Sequence, residues 1–171
     1  MGIKKPPRRG ISWSAMRKVL EQDNICDSLK GRIQYFQTRY RAAHDQTPRV
    51  AVRFEGKEIF RSCSHDWWDK YYTALRRLSN NNLGNEKSRK EADYIAQWQG
   101  GVTSFYNSFY EYINNSIDKS LSSSDYVVRL FAILDKRVGK RRLERILPEV
   151  KNQPEWLQVF FKLRLEADGI I

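Results

Sequence analysis

Apolar residues recur at helical spacing at Trp13, Met16, Val19 and Leu20, just after two serines, Ser12 and Ser14, whose side chains suit an N-cap. The pattern predicts a first helix starting near one of them. Residues 23–31 break it and end on Gly31. From there the period changes to two. Ile33, Tyr35 and Gln37 alternate with Arg32, Gln34 and Phe36, which predicts a strand over residues 32–41. Residues 42–48 read as a loop. Val50, Val52 and Phe54 then alternate with Arg49, Ala51 and Arg53, and a glycine turn at residues 55–57 leads into a third strand over 58–63. The result is a three-stranded antiparallel meander.

Everything after the meander reads as helix. Ser64 caps a segment carrying Trp67, Trp68, Tyr71, Tyr72, Leu75 and Leu78, and a second runs from about Asn85 to Gly100 with Tyr94, Ile95 and Trp98 inward. Thr103 opens a longer helix with Phe105, Phe109, Tyr112, Ile113 and Ile117 on its apolar face. Val127, Val128, Phe131 and Leu134 mark the next. Gly139 divides that one from a short basic helix ending before Pro148. Pro154 opens the last, which carries Trp156, Leu157, Phe160, Phe161 and Leu163 and stops near Gly169. The expected fold is α+β, a three-stranded antiparallel meander near the N-terminus packed by about seven helices, with an all-helical C-terminal half. Residues 11–171 form one domain behind a flexible basic arm, residues 1–10.

Composition narrows the picture. With 40% hydrophobic and 30% charged residues, the 171-residue chain is rich enough in apolar side chains for a core. No apolar run approaches the length of a membrane span, and no apolar segment with a cleavage site follows the basic N-terminus. These features point to a cytoplasmic protein with no membrane partner. Cys26 and Cys63 lack metal-ligand or redox spacing and read as reduced, partly buried thiols. The only histidines are His44 and His65, so neither a metal site nor a cofactor is expected. The aromatic pairs Trp67-Trp68 and Tyr71-Tyr72 share one helical face and read chiefly as core.

The net charge of +11 is unevenly spread. Residues 1–20 hold six Lys or Arg and no acid, among them Lys4, Lys5, Arg8 and Arg9. A second focus comprises Lys136, Arg137, Lys140, Arg141, Arg142 and Arg145, with Glu144 as the one acid among residues 136–145. At helical spacing Arg129, Lys136 and Lys140 would form one stripe, and Arg137, Arg141 and Arg145 another. Two short helices joined at Gly139 would then set a helix N-terminus and basic side chains against a phosphate backbone. Few small polar residues stand beside these cations to read base edges, so contact with nucleic acid would be non-specific or shape-based.

A third cluster lies at the hairpin end. Arg39 and Arg41 share one side of the first strand, His44 and Asp45 follow in the loop, and Arg49 begins the returning strand. Guanidinium forks suit phosphate, and a histidine can transfer a proton near neutral pH. The same residues also fit an Asx turn with a loop histidine of structural role.

Several strings resemble a family of short, functionally uncharacterised bacterial proteins: Cys26-Asp27-Ser28-Leu29-Lys30-Gly31-Arg32, Thr38-Arg39-Tyr40-Arg41 with His44-Asp45, Gly56-Lys57-Glu58-Ile59, and Leu134-Asp135-Lys136-Arg137-Val138-Gly139-Lys140-Arg141-Arg142-Leu143. The resemblance covers most of the chain, excepting residues 1–10, and implies one intact bacterial domain without assigning a reaction.

Three functions follow in order. The first is binding of DNA, RNA or another polyanion through Arg39, Arg41, Arg49, Lys136, Arg137, Lys140, Arg141, Arg142 and Arg145. The second is a protein-interaction or regulatory module, with a homodimer as one form of it and an exposed aromatic patch as its marker. The third is a metal-independent nuclease or phosphodiesterase centred on His44.

Overall fold

The computed structural model describes residues 10–39, 48–63, 72, 73, 76 and 101–171. The first helix, α1 (Trp13–Lys18), begins where expected: Ser12 is its N-cap and accepts from the Ala15 N–H at 3.2 Å. One wide π-helical turn, Val19–Asp23, follows it. That turn carries Glu21, which accepts from both Arg17 and the Tyr35 backbone N–H (2.7 Å) and so ties α1 to the start of the sheet. A 3-10 turn, Asp27–Leu29, leads into the strands.

The sheet is the expected antiparallel meander, β1 (Ile33–Arg39), β2 (Pro48–Phe54) and β3 (Lys57–Ser62), in the order β1-β2-β3. β2 and β3 are joined by Glu55 and Gly56, both with positive φ (47° and 82°). Such a two-residue turn matches the right-handed twist of the flanking strands, and glycine adopts it without strain. The predicted alternation holds for Ile33, Tyr35, Val50 and Val52, all buried; Ala51, assigned to the opposite face, is buried too.

Among the described residues there are six α-helices rather than about seven. The remaining five are α2 (Val102–Asn114), α3 (Ile117–Leu121), α4 (Tyr126–Leu134), α5 (Lys140–Ile146) and α6 (Glu155–Ala167). A 3-10 turn, Leu147–Asn152, precedes α6. Ile117 does not extend α2 as its spacing suggests. Ser116 starts a new helix there by accepting from the Lys119 N–H, while Ile113 is 44% exposed. The helices expected from Ser64 and Asn85 lie outside the described residues, except that positions 72, 73 and 76 are helical and Tyr72 is exposed.

The chain divides into two compact units. One comprises residues 1–35, 52–60 and 107–171; the other comprises 36–51 and 61–106. The first has a core of rings. Phe131 lies 6.0 Å from Tyr35, 5.6 Å from Tyr112 and 6.4 Å from Phe109, centroid to centroid. Trp156 stacks on Phe60 at 4.3 Å. Each of the fully buried rings, Tyr35, Phe109, Tyr112 and Phe131, stabilises the fold by roughly 1.5–3 kcal/mol through burial alone. The serine-rich connection before α4 is tightly held. Ser123 donates to Glu111 and accepts from the Asp125 N–H, and the Ser123 carbonyl accepts from Arg129. Cys26, in this unit, is a buried free thiol. In the second unit, Cys63 is likewise buried and free, and Gly101, at φ 93°, donates its N–H to the Ser62 hydroxyl at 2.7 Å.

Candidate functional site

The basic segment begins where α4 stops. Asp135 takes extended backbone angles, so the helix ends at Leu134 and residues 135–139 are not helical. That overturns both proposed stripes, Arg129 with Lys136 and Lys140, and Arg137 with Arg141 and Arg145, since each needs helix across residues 135–139; of the second, only Arg141 and Arg145 share a helix. Arg129 is otherwise engaged: its guanidinium donates to the Ser123 carbonyl and, at 3.0 Å, to the Gln153 side chain.

The turn is built around the Asp135 carboxylate, whose side chain has no exposed surface. Oδ1 accepts the Arg137 backbone N–H at 2.7 Å, an Asx turn that reverses the chain. Both oxygens accept from the Arg137 guanidinium, at 2.6–3.0 Å, and Oδ2 also accepts from the Tyr112 hydroxyl. That hydroxyl in turn accepts from the Asn24 amide at 3.1 Å. Burial, then the bond to Asp135, raises the Tyr112 phenol well above the ordinary tyrosine range, so it stays a proton donor. The Asp135 bond likewise raises Arg137, which remains a cation throughout.

From beneath, Arg164 of α6 holds the same turn. Its guanidinium is almost wholly buried and donates to the carbonyls of Leu134, Asp135 and Val138, the last at 2.6 Å. These include orphan carbonyls at the C-terminus of α4. Asp168 pairs with Arg164 at 3.0 Å and accepts the Ser28 hydroxyl at 2.9 Å. On the other side, residues 24–26 clip on by two backbone bonds, Cys26 N–H to Leu134 O and Lys136 N–H to Asn24 O.

So fixed, the turn presents its cations outward. Lys136, Lys140 and Arg141 are exposed and carry no ion pair among the described residues. Arg137 remains 48% exposed beyond its pair with Asp135. Arg142 and Arg145 converge from α5 on Asp118 of α3, with Arg142 meeting it through two bonds of 2.9 and 3.0 Å and Arg145 through one of 3.2 Å. Arg142 and Arg145 hold the Asp118 carboxyl below its ordinary range, and Asp118 in turn raises Arg142. Of the six cations, three are paired with two carboxylates, Asp135 and Asp118; counting Glu144, which meets none of them in an ion pair among the described residues, residues 135–145 with Asp118 carry a net +3.

The Asp135 turn gives residues 134–143 a physical role, and a family model spanning residues 12–165 matches the chain. The chain belongs to the SF0329 protein family. No curated protein and no solved structure matches it. In this SF0329 protein the matched region includes Asn24, Tyr112, Asp135, Arg137 and Arg164, and stops three residues short of Asp168.

The hairpin-end candidates belong to the second unit. The Glu55 N–H to Arg32 carbonyl bond sets the β1-β2 register, and seven residues further along each strand Arg39 stands opposite Pro48, next to Arg49. Arg49 is partly buried and already engaged in an interaction. Arg41 and His44 lie outside the described residues, as do Lys4, Lys5, Arg8 and Arg9 of the arm. Among the described residues no three His, Cys, Asp or Glu side chains gather as a metal-ligand group, and no helix is long and apolar enough to cross a membrane.

Asp135, Tyr112, Asn24 and Arg164 escape a reading that looks for cation runs. One signal does mark Arg164: it stands three and four residues after Phe161 and Phe160, at a core-facing position of α6. An arginine in an apolar stripe implies buried acceptors. Leu163, assigned to that stripe, is only half-buried, whereas Leu165 is buried.

Proposed function

We propose that this SF0329 protein binds the phosphate backbone of nucleic acid, without reading sequence, through the exposed cations of residues 136–145. The observation that supports it is the triad Lys136, Lys140 and Arg141, exposed and without ion pairs among the described residues, on a turn anchored from inside and on the first turn of α5 that follows it. An anchored backbone matters because only the side chains, and not the chain that carries them, have to be ordered on binding. Non-specific contact fits the scarcity of small polar side chains that would recognise base edges.

Fluorescence anisotropy with labelled duplex and single-stranded oligonucleotides, from 50 to 200 mM salt, tests the proposal; this range is about that over which counterion release changes affinity steeply. The charge-reversed triple variant K136E/K140E/R141E is expected to flatten the dependence of log K on log salt by about 2.7 for duplex DNA, near 0.9 per lost phosphate contact. Absence of binding at the lowest salt, or an unchanged slope in the variant, would overturn the assignment.

A further inference from the structure

We infer that Asp118 occupies a phosphate subsite, standing in for a phosphate group on Arg142 and Arg145 and holding both arginines back from an incoming polyanion. The inference rests on the nucleic-acid reading above and concerns the regulation of that same surface.

Three observations carry it. The first is geometry. Arg142 grips the Asp118 carboxylate with Nε and Nη2 in the two-pronged arrangement that a guanidinium also makes with phosphate oxygens, and Arg145 adds a third donor to Oδ1. The second is exposure. Asp118 is 52% and Arg145 70% exposed, so water and solutes reach the pair, and an ion pair of this kind exchanges readily. The third is preorganisation. Arg142 Nη1 also donates to the Arg137 carbonyl at 3.3 Å, on the turn that Asp135 and Arg164 hold. Its guanidinium is therefore oriented from a second side when Asp118 lets go. A phosphodiester or terminal phosphate displacing Asp118 would meet two guanidinium groups already converging, flanked by the exposed Lys140 and Arg141 of the same helix.

The test compares Asp118→Asn with Glu144→Gln. Both remove one negative charge; Glu144 is exposed on α5 and has no ion pair among the described residues. Inorganic pyrophosphate is titrated calorimetrically against wild type, D118N, E144Q and D118N/R142Q at constant ionic strength, and D118S guards against an effect peculiar to asparagine. D118N and D118S are expected to bind pyrophosphate roughly three- to tenfold more tightly than wild type or E144Q, the scale of releasing two exposed pairs. D118N/R142Q is expected to lose the gain. In the oligonucleotide assay D118N should steepen the duplex salt slope by up to about 1.8, for two more phosphate contacts. Equal pyrophosphate affinity in D118N and E144Q would overturn the inference, since charge alone would then explain the change. Failure of wild type to bind any oligonucleotide overturns the nucleic-acid reading, while the pyrophosphate series still decides the role of Asp118.

Discussion

Asp135 and Asp118 present the same chemical group to arginines of one segment, and their surroundings make them opposites. Asp135 is sealed from solvent and meets a hydroxyl, a backbone N–H and a guanidinium. Asp118 lies half in water and meets only guanidinium groups. A buried carboxylate cannot lose a partner without stranding a charge or a donor, whereas an exposed one exchanges its partners for water. The first therefore shapes the chain, and the second is the one free to yield its arginines to another anion, as proposed above. Charge counting along the sequence scores both arginine sets alike, and only burial separates them.

The sharpest way to break the comparison is to remove each carboxylate in turn. Asp135→Ala is expected to destabilise the fold by about 3 kcal/mol, since the Tyr112 hydroxyl and the Arg137 N–H lose their acceptor. Urea unfolding reads this as a lower midpoint with an unchanged slope. Asp118→Ala should leave the midpoint where it is. Comparable losses from the two variants would erase the distinction.

Arg164→Met should cost slightly less, about 2–3 kcal/mol, because three carbonyls lose their donor while the long apolar stem still packs. Arg164→Lys should recover only part of this, since one ammonium cannot reproduce the fork.

Tyr112→Phe should cost about 1 kcal/mol near neutrality. Its sharper signature is alkaline. The folded phenol titrates above the unfolded one, so its contribution is complete below the ordinary tyrosine range. It is lost as pH rises through that range towards the folded value. Wild type should therefore lose stability at high pH faster than Y112F, measured by urea midpoints at a series of alkaline pH values. Parallel curves would contradict the buried bond to Asp135.

The smallest effect belongs to Asp118 itself. Its carboxyl should titrate below the usual aspartate range in carbon-detected NMR and move upward as salt screens the two arginines. The sign is that of a depressed acid. Whatever stability the pair contributes is present at neutral pH and disappears as pH falls through the folded value. Titration in the ordinary range at low salt would mean that the arginines do not hold it.

Much of the scaffold is legible in the residues because local rules decide it. Period-two alternation marks the strands, Gly56 marks the hairpin, and Ser12 and Pro154 mark helix starts. What stays hidden depends on long-range partners. No local pattern tells that Tyr112 reaches Asp135, 23 positions away, or that Asn24 reaches Tyr112 across 88. The helix break at Asp135 is obscured because Asp135-Lys136-Arg137 reads as polar helix surface, and only the buried partners make the Asx turn the better choice. The six cations were visible as a cluster, but which of them face solvent unpaired was set by acids at 118 and 135, one of them far from the run.

The run Ser122-Ser123-Ser124 has the composition of a flexible tether, yet its middle residue is anchored on three sides. A protease needs several residues of extended, detachable backbone, and this stretch offers none without first releasing Glu111, Asp125 and Arg129. Engineered cleavage sites or inserted tags placed there would disrupt α4 and the ring core behind it, so a permissive insertion point has to be sought elsewhere in the chain.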